Sequence, residues 1–410
     1  MSSHYVQVFS NPRIAVTFLL MFASAFPLPL TSSGTTFQVW LKRNDVDIKT
    51  IGILTLVGLP YNLKFLWAPL LDRFAPPFLN RRTGWIAITQ VLLIITIAAM
   101  GFLDPRVAGQ MRGIVFAATL IAFFSASADI VIDAYRVDLL RDEERGAGAA
   151  IVQLASRVAF LGAGALALFL SDHLPWHQVF CLMAACLLVG LVTSLFAPAP
   201  ERPVLPPKSM RDAVVEPFRN FFRREGAVEI LLFVIFFKLG DTLAGALLSP
   251  FLVELGFTNT DIASVFKVFG MIAVIAGSLL AGALTVKIGV YRALWVFGIL
   301  QAVSNFVFVG LAMAGKSYVW MVAAIGVENF CGGMGTVAFL AFLMGLCDRR
   351  FSATQYALLS SLMALARTVL SSGTGYMVAA MGWPKFFVVT AILALPGLVL
   401  LARIRRYQPA

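Results

Sequence analysis

The chain has 410 residues, of which 60% are hydrophobic and 13% are charged, and its formal net charge is +11. Soluble proteins carry about 25% charged residues, so this chain has too little polar surface to cover a water-soluble body. The same composition excludes an intrinsically disordered chain, a collagen and a disulfide-rich scaffold. It predicts an all-α polytopic membrane protein. The basic residues are scattered between apolar runs and form no single patch, which argues against a nucleic-acid partner.

Twelve apolar segments are long enough to cross a membrane, because a hydrocarbon core of about 30 Å needs about 20 residues of helix. In chain order they lie at residues 13–40, 50–71, 83–103, 111–137, 145–171, 177–198, 226–252, 260–287, 291–314, 317–347, 351–380 and 384–404. Pro27, Pro29 and Pro60 are expected to bend the first two helices. Ala23-Ser24-Ala25 resembles a signal-peptidase site, but the apolar run continues beyond it, so we expect the first helix to remain uncleaved.

The positive charges predict the orientation of these helices. Of the 32 lysines and arginines, twenty lie on the side of the N-terminus, seven lie on the opposite side, and five lie within the spans. Short loops rich in lysine and arginine stay in the cytoplasm. Both termini are therefore predicted to be cytoplasmic.

The longest connection, residues 199–225, is rich in proline and basic residues and separates six spans from six. A weak internal repeat supports the same division, because Ser156-Arg157 in the fifth span resembles Ala366-Arg367 in the eleventh, and each is followed by a Gly-x-Gly sequence. We therefore predict an N-terminal six-helix bundle (1–198), a cytoplasmic linker (199–225) and a C-terminal six-helix bundle (226–410). Two like-oriented halves with a site between them are typical of secondary transporters.

Nine ionisable residues fall inside the predicted spans. They are the acids Asp129, Asp133, Asp241 and Glu328 and the bases Lys64, Arg157, Lys238, Lys267 and Arg367. Each isolated charge costs about 2.5–3.5 kcal/mol at the centre of a bilayer. We therefore expect these residues to be paired with one another or to line water.

Asp129 and Asp133 are four residues apart on the fourth span and project from one helical face. Two close carboxylates resist joint ionisation, so this pair is a candidate for proton uptake. The structural alternative is that Arg136 or Arg157 neutralises the pair, and it applies to Asp133 most strongly because Arg136 is one turn away.

The second half contains a similar arrangement. Lys238 and Asp241 are three residues apart on the seventh span and can pair on one face, either for function or as a structural salt bridge. Glu328, in the tenth span, has no cation within one turn of its own helix, so a proton or a cation from another helix must neutralise it. The nearby glycines, Gly332-Gly333 and Gly335, permit close helix contact or local unwinding.

A sugar-like ligand favours aromatic faces and amide or hydroxyl groups on one lining. The spans offer Tyr61, Asn62, Tyr135, Asn305, Asn329 and Tyr356. Each of them has an alternative role in packing or as an interfacial anchor. None of the three histidines, His4, His173 and His177, lies inside an apolar run, so we expect no histidine proton relay within the membrane. The four cysteines show no metal or disulfide spacing, so we expect no metal site and buried free thiols.

Several segments together resemble one family, the AmpG muropeptide permeases of the major facilitator superfamily. They are FLWAPLLDRF (65–74), SADIVIDAYRVD (127–138), EERGAGAA (143–150), FKLGD (237–241), ENFCGGMGT (328–336) and FSATQYALLS (351–360). The resemblance runs in order along most of the chain. It implies a twelve-helix permease in the inner membrane of a Gram-negative bacterium.

What the resemblance implies about function is specific. Members of this family import N-acetylglucosaminyl-1,6-anhydro-N-acetylmuramyl peptides from the periplasm to the cytoplasm for cell-wall recycling, and the imported compounds induce a β-lactamase in some species. Uptake is coupled to the proton motive force, with no other cofactor. The expected partners are the muropeptide, protons and membrane lipids, and a monomer is the expectation for the superfamily.

The resemblance also places the polar residues of the spans at the family's membrane-embedded polar positions. The candidates for proton coupling are Glu328, Asp129, Asp133 and Asp241. The candidates for substrate binding are Lys64, Tyr61, Asn62, Arg157, Lys238, Lys267, Asn329, Tyr356 and Arg367. The family often has a glutamine before the first aspartate, where this chain has Ala128. If that amide contacts the ligand in relatives, affinity or specificity differs here.

A charged loop between the second and third spans resembles the gating loop of the superfamily. It contains Asp72-Arg73 and Arg81-Arg82, with Ala75-Pro76-Pro77 in place of the usual glycine-rich spacing. This replacement makes a latch role less secure.

Two other functions are compatible with parts of the sequence. A drug/proton antiporter of the same superfamily would share the carboxylates, although an exporter of lipophilic cations gains little from five buried cations. A membrane-embedded transferase for envelope lipids would need a nucleophile, a metal or an acid/base set at one interface. No histidine lies inside an apolar run, since His177 stands only at the first residue of the sixth span, and no metal-ligand spacing occurs, which argues against this second alternative.

Overall fold

The structure, a computed structural model, describes residues 11–31, 35–46, 50–51, 54–107, 109–199, 209–258, 261–371 and 373–404. Within these ranges the regular secondary structure is helical and no β-strand occurs. The predicted all-α class is therefore confirmed. A helix satisfies its backbone hydrogen bonds within one segment, which a chain surrounded by lipid requires.

Ten helical segments of the described chain are long and apolar enough to cross a membrane. Two further helical segments, the second and the eleventh in chain order, are less apolar. Together with the ten they follow the order that the sequence predicts. The segments are α1 (Pro12–Leu30), α2 (residues 55–73), α3 (Arg81–Gly101), α4 (Gln110–Leu139), α5 (Asp142–Ser171), α6 (Trp176–Phe196), α7 (Ala227–Glu254), α8 (Ser264–Ile288), α9 (Val290–Ala314), α10 (Tyr318–Leu346), α11 (residues 352–381) and α12 (residues 383–404).

The end of α1 differs from its prediction. The apolar run predicts a helix to residue 40, but α1 ends at Leu30 and a separate helix, Thr35–Arg43, follows it. The α-helical part of α1 ends earlier, at Ala25, and a 3-10 turn, Leu28–Leu30, follows it. Pro27 and Pro29 account for this change, since proline has no N–H for the helical hydrogen bond. The Thr36 hydroxyl of the separate helix donates to the Ala163 carbonyl of α5 at 2.6 Å.

α2 is a series of short helices. Thr55–Gly58, Leu59–Leu63, Lys64–Leu66 and Ala68–Arg73 follow one another. Pro60 and Pro69 stand in the first turns of two of these helices, where a missing N–H is tolerated. The irregular backbone brings Lys64 inside the protein, where the residue is buried.

The last two segments meet at Gly382. The helix Thr374–Leu393 bends there, because Gly382 has a non-helical backbone with φ 74° and ψ 166°. α11 therefore consists of Ser352–Ser371 and the part of the next helix before Gly382, and α12 continues through Leu395–Ile404. This turn coincides with the gap between the predicted eleventh and twelfth spans.

Buried apolar residues form three clusters. The first lies almost entirely in α1 to α6 and includes Phe26 and Phe180. The second lies in α7 to α12 and includes Phe251 and Phe308. The third cluster combines residues from both groups of helices. Val137 and Leu140, of the first group, pack in it with residues of α7 to α12. The two groups are therefore joined by apolar packing at one end.

At that end α5 and α8 approach each other closely. A Cβ atom at Gly146 would lie 2.8 Å from the Thr285 Cβ, which only glycine avoids. Ala147, Ala149 and Ala150 are buried beside it. We call this end of the molecule, which includes residues 72–82, 138–146 and 346–354, the sealed face.

The predicted linker contains a helix, Met210–Phe222. Ser209 caps it, because its hydroxyl accepts a hydrogen bond from the Asp212 N–H at 3.0 Å. Gln355 Nε2 at the start of α11 donates to the Pro217 carbonyl at 3.1 Å. The helix is thus attached to the sealed face.

All four cysteines are free. Cys331 and Cys347 are buried as predicted, but Cys181 and Cys186 are only half-buried, so the prediction of buried thiols is wrong for these two. Both lie on α6, which also exposes Leu182 and Leu188.

Candidate functional site

A lysine and an aspartate form a buried pair where α1, α2 and α4 meet. Lys64 Nζ lies 2.6 Å from Asp129 Oδ2, and the Ser24 hydroxyl donates to Asp129 Oδ1 at 2.8 Å. The side chain of Lys64 is 7% exposed and that of Asp129 is 22% exposed. The Asp129 carboxylate therefore accepts from a cation and a hydroxyl on two other helices, and part of it remains accessible.

Asp133 has a different partner. Arg136 Nη2 lies 2.9 Å from Asp133 Oδ1 and also donates to the Tyr356 hydroxyl of α11 at 2.7 Å. The guanidinium of Arg136 lies 5.2 Å from the centroid of the Tyr356 ring, as in a cation–π contact. Asp129 and Asp133 therefore have separate cations. This arrangement favours the structural alternative for Asp133.

A second lysine lies at an interruption of α7. The helix stops at Phe236 and resumes at Leu239, and Lys238 lies between the two parts. Its ammonium donates to Asp241 Oδ2 at 3.0 Å, to Gln301 Oε1 of α9 at 3.1 Å, and to the Gly332 carbonyl of α10 at 3.4 Å. The predicted pairing of Lys238 with Asp241 is present, and two further oxygens complete the contacts of the ammonium.

Glu328 lies close to this lysine site without joining it. A Cβ atom at Gly332 would lie 3.7 Å from Asp241 Oδ2 and 3.8 Å from Glu328 Oε1, so both carboxylates border the same small space. Within the described ranges the structure gives Glu328 no ion pair and no hydrogen bond. The expectation that this acid lacks a cation on its own helix is therefore met.

Three of the predicted cations remain outside these pairs. Arg157 of α5 is half-buried and Arg367 of α11 is exposed, and neither has an ion pair in the part of the chain that the structure describes. The side chain of Lys267 lies outside the described residues. Arg157, which was an alternative partner of the aspartates of α4, is therefore available for another anion.

The remaining polar candidates are held less tightly. The Tyr61 hydroxyl hydrogen-bonds to that of Ser125, and Asn62 is half-buried. Asn329 Nδ2 donates to the Ile325 carbonyl of its own helix at 2.9 Å. Tyr135 donates to the Pro198 carbonyl at 2.6 Å, which is a packing role.

The gating loop forms a buried polar cluster on the sealed face. Arg82 lies between two carboxylates, with Nη2 2.8 Å from Asp72 Oδ1 and Nε 3.0 Å from Asp138 Oδ2. Arg82 Nη2 also donates to the Ser352 hydroxyl at 2.7 Å, and Asp72 Oδ2 accepts from the Thr354 N–H at 2.8 Å and from its hydroxyl at 2.7 Å. The cluster joins α2, α3 and α4 to the N-terminus of α11, where a negative charge is stabilised by the helix dipole.

The other residues of the predicted gating loop have smaller roles. Arg81 Nη1 donates to the Asp72 carbonyl at 2.9 Å, and the guanidinium of Arg73 lies 5.7 Å from the centroid of the Phe74 ring. The latch geometry between Asp72 and Arg82 is present although Ala75-Pro76-Pro77 replaces the glycine-rich spacing. We expect Arg81 and Arg73 to support the loop and not to join the two groups of helices.

Several residues of these clusters do not stand out in the sequence. Ser24, Gln301 and Thr354 are ordinary polar residues in apolar helices, and only the fold shows that they contact charged groups. Asp138 is the last residue of the segment SADIVIDAYRVD and directly follows the predicted fourth span. An acidic residue at this position could have been predicted from the sequence as a functional candidate. Within the described ranges no group of three or more histidine, cysteine or acidic residues could hold a metal ion.

Comparison with known proteins defines the class. The sequence profile of the Major Facilitator Superfamily matches residues 14–369. The fold is similar to that of the proton:xylose symporter XylE, with a TM-score of 0.69 and 12% identity over 100% of this chain and 97% of that one. It is also similar to a bacterial homologue of the iron transporter ferroportin in its outward-facing state, with a TM-score of 0.70 and 14% identity over 97% and 100% of the two chains. This is the fold of a membrane transporter.

Two curated relatives narrow this class. The Anhydromuropeptide permease of Escherichia coli (strain K12) is 47% identical over 403 residues, which cover 98% of this chain and 81% of the relative. The transporter AmpG 4 of Rickettsia conorii is 36% identical over 405 residues, which cover 96% and 97% of the two chains. The chain therefore belongs to the AmpG anhydromuropeptide permease family of the major facilitator superfamily. It is a multi-pass inner-membrane transporter and not an enzyme, so the transferase alternative is wrong.

Proposed function

We propose that this protein imports anhydromuropeptides from the periplasm to the cytoplasm by proton-coupled alternating access. The relative with 47% identity is a permease for this class of compound. The observation that supports the coupling of transport to protons is the arrangement of charged residues within the spans. Each group of helices contains one lysine–aspartate pair, and the pair of the second group, Lys238–Asp241, lies near a carboxylate, Glu328, that has no ion pair among the described residues.

The distribution of positive charge supports the orientation. Basic residues are concentrated around the sealed face, which includes Arg73, Arg81, Arg82, Arg141 and Arg145, and positive loops remain in the cytoplasm. We infer that the sealed face is cytoplasmic and that this conformation is outward-facing. Transport then requires the bundles 1–198 and 226–410, which the linker connects, to separate at the sealed face. A monomer in the lipid bilayer is sufficient for this motion.

The substrate presents peptide carboxylates as well as sugar hydroxyls. Lys64 and Lys238 are held by their aspartates, whereas Arg157 and Arg367 have no ion pair in the described ranges. We infer that these two arginines bind the carboxylates of the peptide, because guanidinium groups bind carboxylates in a bidentate geometry. Tyr61, Asn62 and Asn329 offer an aromatic ring and amides to the sugars.

Replacing Arg157 with glutamine is expected to raise the KM for anhydromuropeptide by about tenfold, since a charge-assisted contact contributes roughly 1.5–3 kcal/mol. KM for a muropeptide with an amidated peptide should change by less than about twofold. Arg112→Gln, at an exposed position of α4, is the matched control. Equal effects of Arg157→Gln on both substrates would show that Arg157 does not bind the carboxylate.

Uptake by proteoliposomes tests the function itself. Vesicles that contain the purified protein, with an inward proton gradient, should accumulate labelled anhydromuropeptide above the external concentration. A protonophore should abolish this accumulation. Accumulation that persists after the gradient has collapsed would contradict the coupling, and efflux of a lipophilic cation with no muropeptide uptake would favour the antiporter instead.

Glu328→Gln is expected to separate transport from its energy source. A neutral amide cannot take up a proton, so gradient-driven accumulation should fall by about tenfold or more, while counterflow exchange of muropeptide stays within about twofold of wild type. Glu254→Gln makes the same change at an exposed position of α7 and should have no effect. If accumulation by Glu328→Gln equals that of the wild type, Glu328 has a structural role.

A further inference from the structure

The Lys238 ammonium is enclosed by oxygens from three helices. Asp241 Oδ2 of α7, Gln301 Oε1 of α9 and the Gly332 carbonyl of α10 accept its three protons, at 3.0, 3.1 and 3.4 Å. An ammonium group has three donors and no acceptor, so these oxygens account for all of its hydrogen bonds. We call this arrangement the lysine cage.

The structure makes room for the Gln301 side chain in a specific way. Gln301 is buried, with 4% of its surface exposed. A Cβ atom at Gly335 would overlap Gln301 Oε1 and would lie 3.8 Å from Lys238 Nζ, so α10 can accommodate the amide only because residue 335 has no side chain. Gln301 and Gly335, from two different helices, therefore form one side of the lysine cage.

Two carboxylates compete for this lysine. Asp241 and Glu328 border the same space next to Gly332, but the ammonium contacts only Asp241 among the described residues. The lysine side chain is a flexible four-carbon stem, so its own length does not prevent it from moving toward Glu328. The amide oxygen of Gln301 holds it instead beside Gly335, one helical turn along α10 from the space that Glu328 borders.

We propose that Gln301 is a positioning residue that fixes the Lys238 ammonium on Asp241 and thereby leaves Glu328 without a cation. This inference rests on the proposed function, because it explains why one carboxylate of the site depends on a proton. Without Gln301 the ammonium is shared between Asp241 and Glu328. Glu328 is then neutralised without a proton, and transport becomes uncoupled.

A double-mutant cycle on the detergent-purified protein tests the contact without any substrate. Melting temperatures are measured for the wild type, Gln301→Leu, Lys238→Met and the double variant. Residues in contact give non-additive effects, so the effect of Gln301→Leu is expected to differ between the wild-type background and the Lys238→Met background. The matched control is Asn305→Leu, one turn along α9, where a buried amide contacts the Gln301 backbone and not Lys238. Additive effects of Gln301→Leu and Lys238→Met would overturn the proposal.

Transport assays then test the role in coupling. Gln301→Leu should lower gradient-driven accumulation by about tenfold, since it removes a hydrogen bond to a charged group, and should leave counterflow exchange within about twofold of wild type. Gly335→Ala displaces the amide from the other side and should reproduce the effect of Gln301→Leu.

The two proposals fail in different ways. If the wild type does not accumulate muropeptide, the proposed function fails, while the melting cycle still decides whether Gln301 holds Lys238. If the cycle is non-additive and Gln301→Leu remains fully coupled, Gln301 only stabilises the protein and the inference is wrong.

Discussion

Arg82→Met is expected to open the sealed face and to reduce muropeptide uptake by at least about tenfold. The substitution leaves the carboxylates of Asp72 and Asp138 buried without a cation, and removing one partner of a buried ion pair costs about 3–5 kcal/mol. The ion pairs of the cluster lie within α2, α3 and α4, and its contacts with Ser352 and Thr354 bury it against α11, so we expect the two carboxylates to become hydrated when the sealed face opens. The cost therefore falls on the state in which the sealed face is closed, and a change of this size shifts a two-state population by more than about a hundredfold.

Distances between spin labels can measure this shift. Labels at positions 78 and 350, which are exposed and belong to the first and second groups of helices, should move apart in Arg82→Met relative to the wild type. Arg81→Met is the matched control, because Arg81 contacts the backbone of Asp72 and neither carboxylate. Arg82→Lys should give an intermediate result, since a lysine cannot contact both acids in the same geometry. An unchanged distance distribution in Arg82→Met would mean that the cluster does not hold the face closed.

Single neutral substitutions in the Lys64–Asp129 pair are expected to abolish uptake and to destabilise the protein. Lys64→Met leaves a carboxylate with only the Ser24 hydroxyl as a partner, and Asp129→Leu leaves a buried ammonium. Each change should lower the free energy of unfolding by about 3–5 kcal/mol. Thermal unfolding in detergent and uptake in proteoliposomes measure the two effects separately.

The double variant Lys64→Met/Asp129→Leu distinguishes function from folding. Replacing both members of a buried ion pair by apolar residues is often neutral for stability, so the melting temperature should return to within a few degrees of wild type. Uptake should nevertheless remain at least about a hundredfold below wild type, because binding and coupling need the charges. A double variant that is both stable and active would show that the pair only supports the fold.

The apolar runs predict most of the architecture. Nearly continuous hydrophobic segments of helical length give the order of the twelve positions, and the prolines at 27 and 29 indicate where the first helix is interrupted. The predicted span to residue 40 overlooked the polar sequence TSSGTT at 31–36, which separates α1 from the helix Thr35–Arg43 and was a usable signal. By contrast, the helix in the linker depends on docking against Gln355, which is distant in sequence.

The site was predictable to a smaller extent. The free-energy cost of a charged side chain in the hydrocarbon core marks the ionisable residues of the spans as candidates. Spacing along one helix correctly suggests the contacts of Asp241 with Lys238 and of Asp133 with Arg136. Pairing across helices has no such signal, so neither the contact of Lys64 with Asp129 nor that of Arg82 with Asp138 follows from the sequence. The neutral residues that complete these clusters, Ser24 and Gln301, become meaningful only when the fold places them beside a charge.

The sealed face has a pharmacological consequence. In the proposed orientation, with that face closed toward the cytoplasm, an Arg157 that binds the substrate is reached from the periplasm, so a competing compound would act without entering the cell interior. Such a blocker needs to cross only the outer membrane, and a carboxylate matched to Arg157 would give it a defined anchor. A compound that stabilises the closed Arg82 cluster would hold the transporter in the state that its substrate first meets.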